Sequence, residues 1–499
     1  MDSSVSALRI DSNDNVAIAI SRIEAGESIH IDQIRIVTKE PIPQGHKVAL
    51  ASIEVGEPVI KYGHPIGRAT QPIKIGQWIH AHNMQSALEG VQDYSYQPSP
   101  TPTFGTGSAY AFEGYLRQDG RAGIRNELWI IPTVGCINSI AEMLAAKANA
   151  QLGGGNIDGV HHFAHPYGCS QLGGDLNATQ KVLAALVNHP NAGGVLVMGL
   201  GCENNQIDDF KNKIGTYDAE RVKFYNIQDV EDEIGQGMAL LEQLAAYAGR
   251  AQRQRLPAAK LVLGLKCGGS DAFSGITANP LLGEISDRII DAGGSAVLTE
   301  VPEMFGAETI LMNRAKDEAA FHKIVRLIND FKEYFLRHNQ TIYENPSPGN
   351  KEGGITTLEE KSLGCIRKGG RSQVMDVFAY GRPISGQGLM LSNGPGNDMV
   401  STTVLAAAGA QLVLFTTGRG TPFGGPVPTL KVSSNSAMAV KKKIWIDFDA
   451  GRLLAGETMQ SLADGLFEQI LQTASGKLRT KNERLNARQI AIFKDGVTL

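Results

Sequence analysis

Cysteine is scarce in this 499-residue chain. There are five, Cys136, Cys169, Cys202, Cys267 and Cys365, and no C-x-x-C occurs anywhere. An odd, widely spaced set cannot form a fully paired disulfide framework. The missing C-x-x-C argues against a structural zinc site, and a reduced, cytoplasmic setting fits best. Charge of one sign is also lacking. Lys+Arg number 47 and Asp+Glu 51, a net charge of −4, so a nucleic-acid partner loses its main electrostatic support. No apolar run approaches the ~20 residues of a membrane span, and the opening MDSSVSALRIDSNDN has no basic stretch followed by an apolar one. Neither a membrane anchor nor a secretory signal is therefore expected. No G-x-S-x-G is present, which excludes an α/β-hydrolase elbow. The glycines of Gly193–Gly199 precede and enter a strand, and Gly418-x-Gly420 lacks a third glycine at the right spacing, so no dinucleotide loop is convincing.

Glycine itself is abundant. Its 57 residues exceed the usual ~7%, and without low-complexity tracts they belong in turns and at close backbone approaches. At about 150 residues per domain the length suggests roughly three domains. The first hundred residues repeat a short unit, I-x-x-G-x-x-(I/V), at Ile23–Ile29, Ile42–Val48, Ile53–Val59 and Ile73–Ile79. Each unit is a glycine turn between short β-type runs, which predicts a small all-β module over 1–96. A Pro/Ser/Thr/Gly-rich linker, 97–109, follows. Beyond it, short apolar runs such as LWII, VLVM, LVLGL and LVLF alternate with helical segments, the pattern of α/β domains with parallel sheets. The polar, basic stretch RAQRQRLPAAK divides this region into 110–255 and 256–499. Two Rossmann-like α/β domains are expected there, with ligands beyond the carboxyl ends of the strands. The run Lys441–Lys443 reads as a solvated face.

Several groups in the sequence could carry chemistry. His80 and His82 close the last β unit; on a strand, positions i and i+2 share a face, so both imidazoles could reach one metal ion. His46 and His64 in the same module read as structural. His161, His162 and His165 lie beside Tyr167 and Cys169. The five cysteines each adjoin or closely neighbour a glycine, and three of them sharing a site could hold an iron–sulfur cluster. The competing reading is small buried cysteines at strand ends. Among the acids, Glu203 follows Cys202 at a strand end, Glu300 and Glu303 follow SAVLT, and Asp271 lies in CGGSDAFSG. Each could be a ligand, a base or merely a loop cap.

Longer blocks add a resemblance. GYLRQDGRAGIRNELWIIPTVGCIN, VLVMGLGCENNQ, LKCGGSDAFSGITANP, LTEVPEMFGAE, YENPSPGNKEGGITTLEEKSLGC and FTTGRGTPFGG resemble the altronate/galactarate dehydratase family from about residue 13 to the end of the chain. GHKVALASIEVGEPVIKYGHPIG and WIHAHN resemble the SAF, or β-clip, module of the same enzymes. Related sulfolactate lyases carry the two parts on separate subunits. The resemblance implies a hydro-lyase that converts D-altronate to 2-dehydro-3-deoxy-D-gluconate and water in hexuronate catabolism, with galactarate as the main rival substrate. It also implies dependence on iron(II), with manganese as a possible substitute. A homodimer is expected.

The chemistry agrees with that implication. Removing the barely acidic C2 proton needs stabilisation of the developing enediolate, a base at C2 and an acid at the C3 hydroxyl. On this reading His80 and His82 are metal ligands, with Glu203 or Glu303 completing the shell; Glu203 is taken as the ligand, and Glu303 joins the base His165 as a catalytic residue. Arg121, Arg125, Asn126, Asn204 and Arg419, in glycine-rich loops, would bind the sugar acid. Two rivals remain: an iron–sulfur dehydratase using three of the five cysteines, and a non-catalytic sugar-acid binding protein built on the β module.

Overall fold

The computed structural model describes residues 6–102, 110–152 and 154–499. Residues 103–109 of the expected linker, 97–109, lie outside the described residues. The chain is mixed α/β, with a strand-rich N-terminal module and a large parallel sheet.

In the N-terminal module the repeated glycines do what the pattern requires. Gly26, Gly45, Gly56 and Gly76 all have φ between +78° and +84°, a region open to glycine without steric cost. The repeat isoleucines pair across the turns, Ile23 with Ile42 and Ile53 with Ile73. The resulting short antiparallel sheets include Val16–Ala19 against Lys47–Ala49, and Pro58–Lys61 against His64–Ala69. Residues 86–99 then run as a strap along the C-terminal part of the chain. The Tyr94 hydroxyl donates to Glu308 Oε1 at 2.6 Å, the Tyr96 hydroxyl to the Ala315 carbonyl at 2.8 Å, and the Ser99 amide to the Asn313 carbonyl at 2.8 Å.

Two all-parallel sheets follow. The smaller has four strands in the spatial order Val160–His162, Glu127–Pro132, Ala192–Gly199, Val222–Asn226. The larger has seven, in the order Val374–Phe378, Gly388–Ser392, Ser295–Leu298, Val262–Cys267, Leu412–Thr417, Thr429–Ser433, Phe448–Asp449. Their central strands are buried along their length, which is why they read as continuous apolar runs rather than alternating ones. Ala111–Leu116 pairs antiparallel with Gln254–Pro257, so the two boundaries of the middle domain meet in one small sheet. The C-terminal tail returns to the middle domain, where Arg488 pairs with Glu127 at 2.5 Å and Asp175 accepts the amides of Asp495 and Gly496. Among the described residues no helix is long and apolar enough to cross a membrane.

Candidate active site

Three segments from distant parts of the sequence meet at the carboxyl end of the seven-stranded sheet. The strand Val262–Cys267 ends in Lys266 and Cys267. The strand Ser295–Leu298 leads into Glu300 and Glu303. The third segment is the helix Leu358–Cys365, continued by the 3-10 turn Ile366–Gly369. Thr357 caps that helix and its first turn is acidic, so its start is well specified. Lys361, Cys365 and Lys368 stand at i, i+4 and i+7, on one face.

That face closes a buried lattice of opposite charges. Lys266 bonds Glu300 Oε1 and lies 3.0 Å from Asp398. Lys368 donates to Glu300 Oε2 at 2.9 Å and to Cys365 Sγ at 2.8 Å; Lys361 donates to Glu303 Oε1 at 2.9 Å and to Asn345 Oδ1 at 3.1 Å. The Cys365 thiol donates to Glu303 Oε2 at 3.5 Å. Burial opposes the charge on Glu303, yet Lys361, Lys266 and Lys368 outweigh it and hold its carboxyl below the usual carboxylate range. Burial also works against Lys266, but Glu300, Asp398 and Glu303 keep its ammonium form well favoured. Burial drives the Cys365 thiol well up, so it is neutral here. Glu300 has φ +67°, a costly conformation for a non-glycine residue that an over-determined site can impose. Among the described residues, Glu300, Glu303 and Cys365 are the one group of three potential metal donors whose ligand atoms lie within 4.8 Å of one another.

Glu303 and Lys361 reach a cavity of about 540 Å³ together with Cys267, Asn345, Asn350 and Asp398. A second cavity, of about 440 Å³, lies between the N-terminal module and the same sheet; Arg419, Asp271 and Asn435 line it.

The N-terminal module grips the same helix from the other side. Lys47 and Lys61, both fully buried, donate to the two oxygens of Glu360 at 2.8 Å each. Burial would raise the Glu360 carboxyl, but Lys47 and Lys61 pull it down to about 2. Glu359 accepts from the Ala87 amide at 2.7 Å, and Thr357 bonds the Ile66 carbonyl.

The structure distributes the residues singled out in the sequence as follows. Glu303 is in the charge lattice. The strand Trp78–Ile79 stops before the histidine pair; His80 and His82 sit in a turn closed by Asn83, whose Oδ1 accepts the His80 amide at 2.9 Å. The same-face argument for a strand therefore does not apply to them. His80 Nδ1 lies 2.9 Å from Thr356 Oγ1, while exposed His82 packs on Trp78. Burial, with Lys47 nearby, lowers the His80 imidazole to about 4, so it is neutral. His46 joins this group: its ring lies 4.9 Å from that of His80, and it accepts from the Trp78 indole at 3.1 Å.

Glu203 belongs to the middle domain. It bonds Thr133 and accepts the amides of Leu200 at 3.0 Å and Gly201 at 2.7 Å. His80, His82 and Glu203 thus do not form a three-donor group. His165 is buried, its Nε2 donating to the Pro132 carbonyl at 2.8 Å and its Nδ1 accepting the Tyr167 amide at 3.2 Å. Both ring nitrogens are engaged with backbone. Asn204 accepts the Ser170 amide.

Arg121, Arg125 and Asn126 precede the strand Glu127–Pro132 and so lie at the amino end of its sheet. Arg125 pairs with Glu483 at 2.7 Å, Asn126 bonds the carbonyls of Asn156 and Ala248, and Arg121 pairs with Asp119. Arg419 pairs with Glu352 at the mouth of the 440 Å³ cavity.

Comparison with known proteins decides the family. Descriptions of this family match along the chain: "Altronate/galactarate dehydratase SAF domain" over 5–87, "D-galactarate dehydratase/Altronate hydrolase, second domain" over 114–249, and "D-galactarate/Altronate dehydratase, C-terminal" over 258–498. The chain belongs to the altronate/galactarate dehydratase family. Its SAF domain is the strand-rich N-terminal module. Within the family, the chain is 50% identical to an altronate dehydratase of Bacillus subtilis (99% of this chain, 100% of the relative) and 49% identical to one of Escherichia coli (99% of each). A galactarate dehydratase (L-threo-forming) of Escherichia coli is 34% identical, over 97% of this chain and 96% of the relative.

Proposed function

We propose that this chain is a hydro-lyase that dehydrates D-altronate to 2-dehydro-3-deoxy-D-gluconate. The observation that carries the reading is the full-length identity of 50% and 49% to altronate dehydratases, against 34% to a galactarate dehydratase. The charge lattice supports the reaction class. Glu303, kept ionised by its lysines and open to the 540 Å³ cavity, takes the C2 proton. Lys361, beside it, binds the substrate carboxylate and stabilises the negative charge that grows there as C2 loses its proton. The protonated Glu303 hands that proton to the departing C3 hydroxyl, so water leaves, and the enol becomes the 2-keto acid as its C2 hydroxyl gives up a proton to solvent and C3 takes one.

The iron(II) implied by the family resemblance, with manganese as substitute, has candidate donors in Glu300 and Cys365, an oxygen and a sulfur, with Glu303 beside them left free as the base. These two residues would hold it in exchange for part of their pairing with Lys266 and Lys368, the Cys365 thiol releasing its proton. When bound, such an ion supplies Lewis-acid stabilisation of the substrate carboxylate. The same reading includes a homodimer, a cytoplasmic setting supported by five free thiols, and Rossmann-like winding of the two parallel-sheet units.

Purified protein with Fe²⁺ should form a 2-keto-3-deoxy acid from D-altronate. Turnover of galactarate alone would overturn the substrate and keep the reaction class. Iron taken up from Fe²⁺ in the absence of sulfide that is lost in Glu300→Gln and kept in a His80→Ala/His82→Ala variant supports the metal assignment; the reverse returns the metal to the histidine pair.

A further inference from the structure

The carboxyl end of the four-stranded sheet gathers chemistry that the dehydration does not use. Pro132 and Met198 are register partners on neighbouring strands, and Cys136 and Cys202 each follow four residues later. Cys169 stands in the loop after Val160–His162, the neighbour on the other side of Glu127–Pro132. Three adjacent parallel strands therefore each lead into a loop with one cysteine, at the sheet end where α/β proteins bind ligands.

These loops are tied to one another close to the thiols. The Gly135 amide donates to the Tyr167 carbonyl at 2.8 Å, the Asn205 amide to the Gly168 carbonyl at 2.9 Å, and the Ser170 amide to Asn204 Oδ1 at 2.7 Å. A glycine precedes each cysteine, and the fold needs it there. Gly168 and Gly201 have φ +102° and +122°, while a Cβ on Gly135 would lie 2.7 Å from the His165 carbonyl oxygen. Buried Glu203 and His165 hold the same loops through backbone bonds.

All three thiols are exposed, whereas Cys267 and Cys365 are buried. Cysteine is among the most buried residue types, and an exposed thiol is open to oxidation. Three on one preorganised surface need a reason, and ligation supplies it. We propose that Cys136, Cys169 and Cys202 hold an iron–sulfur cluster through three thiolates, each thiol releasing its proton on binding. A single tetrahedral ion matches less well. At a metal–sulfur distance of about 2.3 Å its sulfurs lie about 3.8 Å apart, and these three Sγ atoms do not all come within 4.8 Å of one another. A cluster spreads its thiolates over several irons and accepts the wider spacing.

The test is independent of turnover. The full chain is purified without oxygen, supplied with ferric iron, sulfide and excess thiol, and desalted. About four acid-labile sulfide per chain are expected, with at least as many iron and a broad band at about 400 nm. Cys136→Ser, Cys169→Ser and Cys202→Ser should each lose most of the sulfide and the band while keeping the melting profile of the parent; Cys267→Ser should keep both. A reconstituted parent without sulfide, or a Cys136→Ser/Cys169→Ser/Cys202→Ser variant with its band intact, overturns the proposal. So does binding of zinc alone.

Discussion

The two parallel sheets end in opposite ways. At the seven-stranded sheet the thiols of Cys267 and Cys365 are buried, Cys267 against Ser270 and Asn279 and Cys365 between Lys368 and Glu303. At the four-stranded sheet the thiols of Cys136, Cys169 and Cys202 face outward. Identical side chains thus meet different surroundings at the two sheets. A buried thiol pushed toward its neutral form is a poor nucleophile but a sound member of a charge lattice. An exposed one in a glycine-shaped loop is open to a ligand from solvent.

That contrast can be broken by experiment. The largest expected effect is at the covered end. Lys361→Ala should lower keto-acid formation by about 10³-fold, the scale of a positioned proton-transfer and charge-stabilising group, with the chain still folded. A comparable loss from Asn204→Ala, at the exposed end, would place the chemistry on the other sheet. Next comes the SAF contact. Glu360→Ala leaves Lys47 and Lys61 buried without their counter-ion and should cost about 3–5 kcal/mol in denaturant unfolding. A loss under about 1 kcal/mol would mean that the SAF domain docks by apolar contact alone.

The same pair gives a pH dependence. Glu360 titrates at about 2 in the folded chain, against an ordinary 4.5. Its contribution is complete above about pH 4.5 and disappears as pH falls toward 2, a loss on the order of 3 kcal/mol. Glu360→Gln should flatten stability over that window. The smallest effect is expected at Arg121, whose pairing with Asp119 is solvent-facing. Arg121→Ala should change stability by less than about 1 kcal/mol and leave kcat/KM unchanged.

Much of this architecture was legible in the sequence. The glycine-turn repeat announces the β module because each glycine is forced by a positive φ, and uninterrupted apolar runs announce buried parallel strands. Glu300 and Glu303 stood out because they follow a strand directly. Their lysine partners did not: Lys266 lies inside a strand and Lys361 and Lys368 on a helix, so only the fold brings them together. One signal was available, the Lys361-Cys365-Lys368 stripe, polar on a helix face that ought otherwise to meet solvent or core. Arg125 and Asn126 had the right chemistry at the wrong end. Residues before a strand stand at the amino edge of its sheet, so strand direction would have separated them from Glu303. His80 and His82 depended on a strand that Asn83 ends.

The helix Leu358–Cys365 is held on one side by SAF lysines and carries site residues on the other. Its Glu360 has no counter-ion until the SAF domain docks, and Lys361 is the next residue along. The proposed proton-transfer pair Glu303–Lys361 therefore leans on the N-terminal module, and a chain whose module has misfolded or been clipped away is expected to show no turnover.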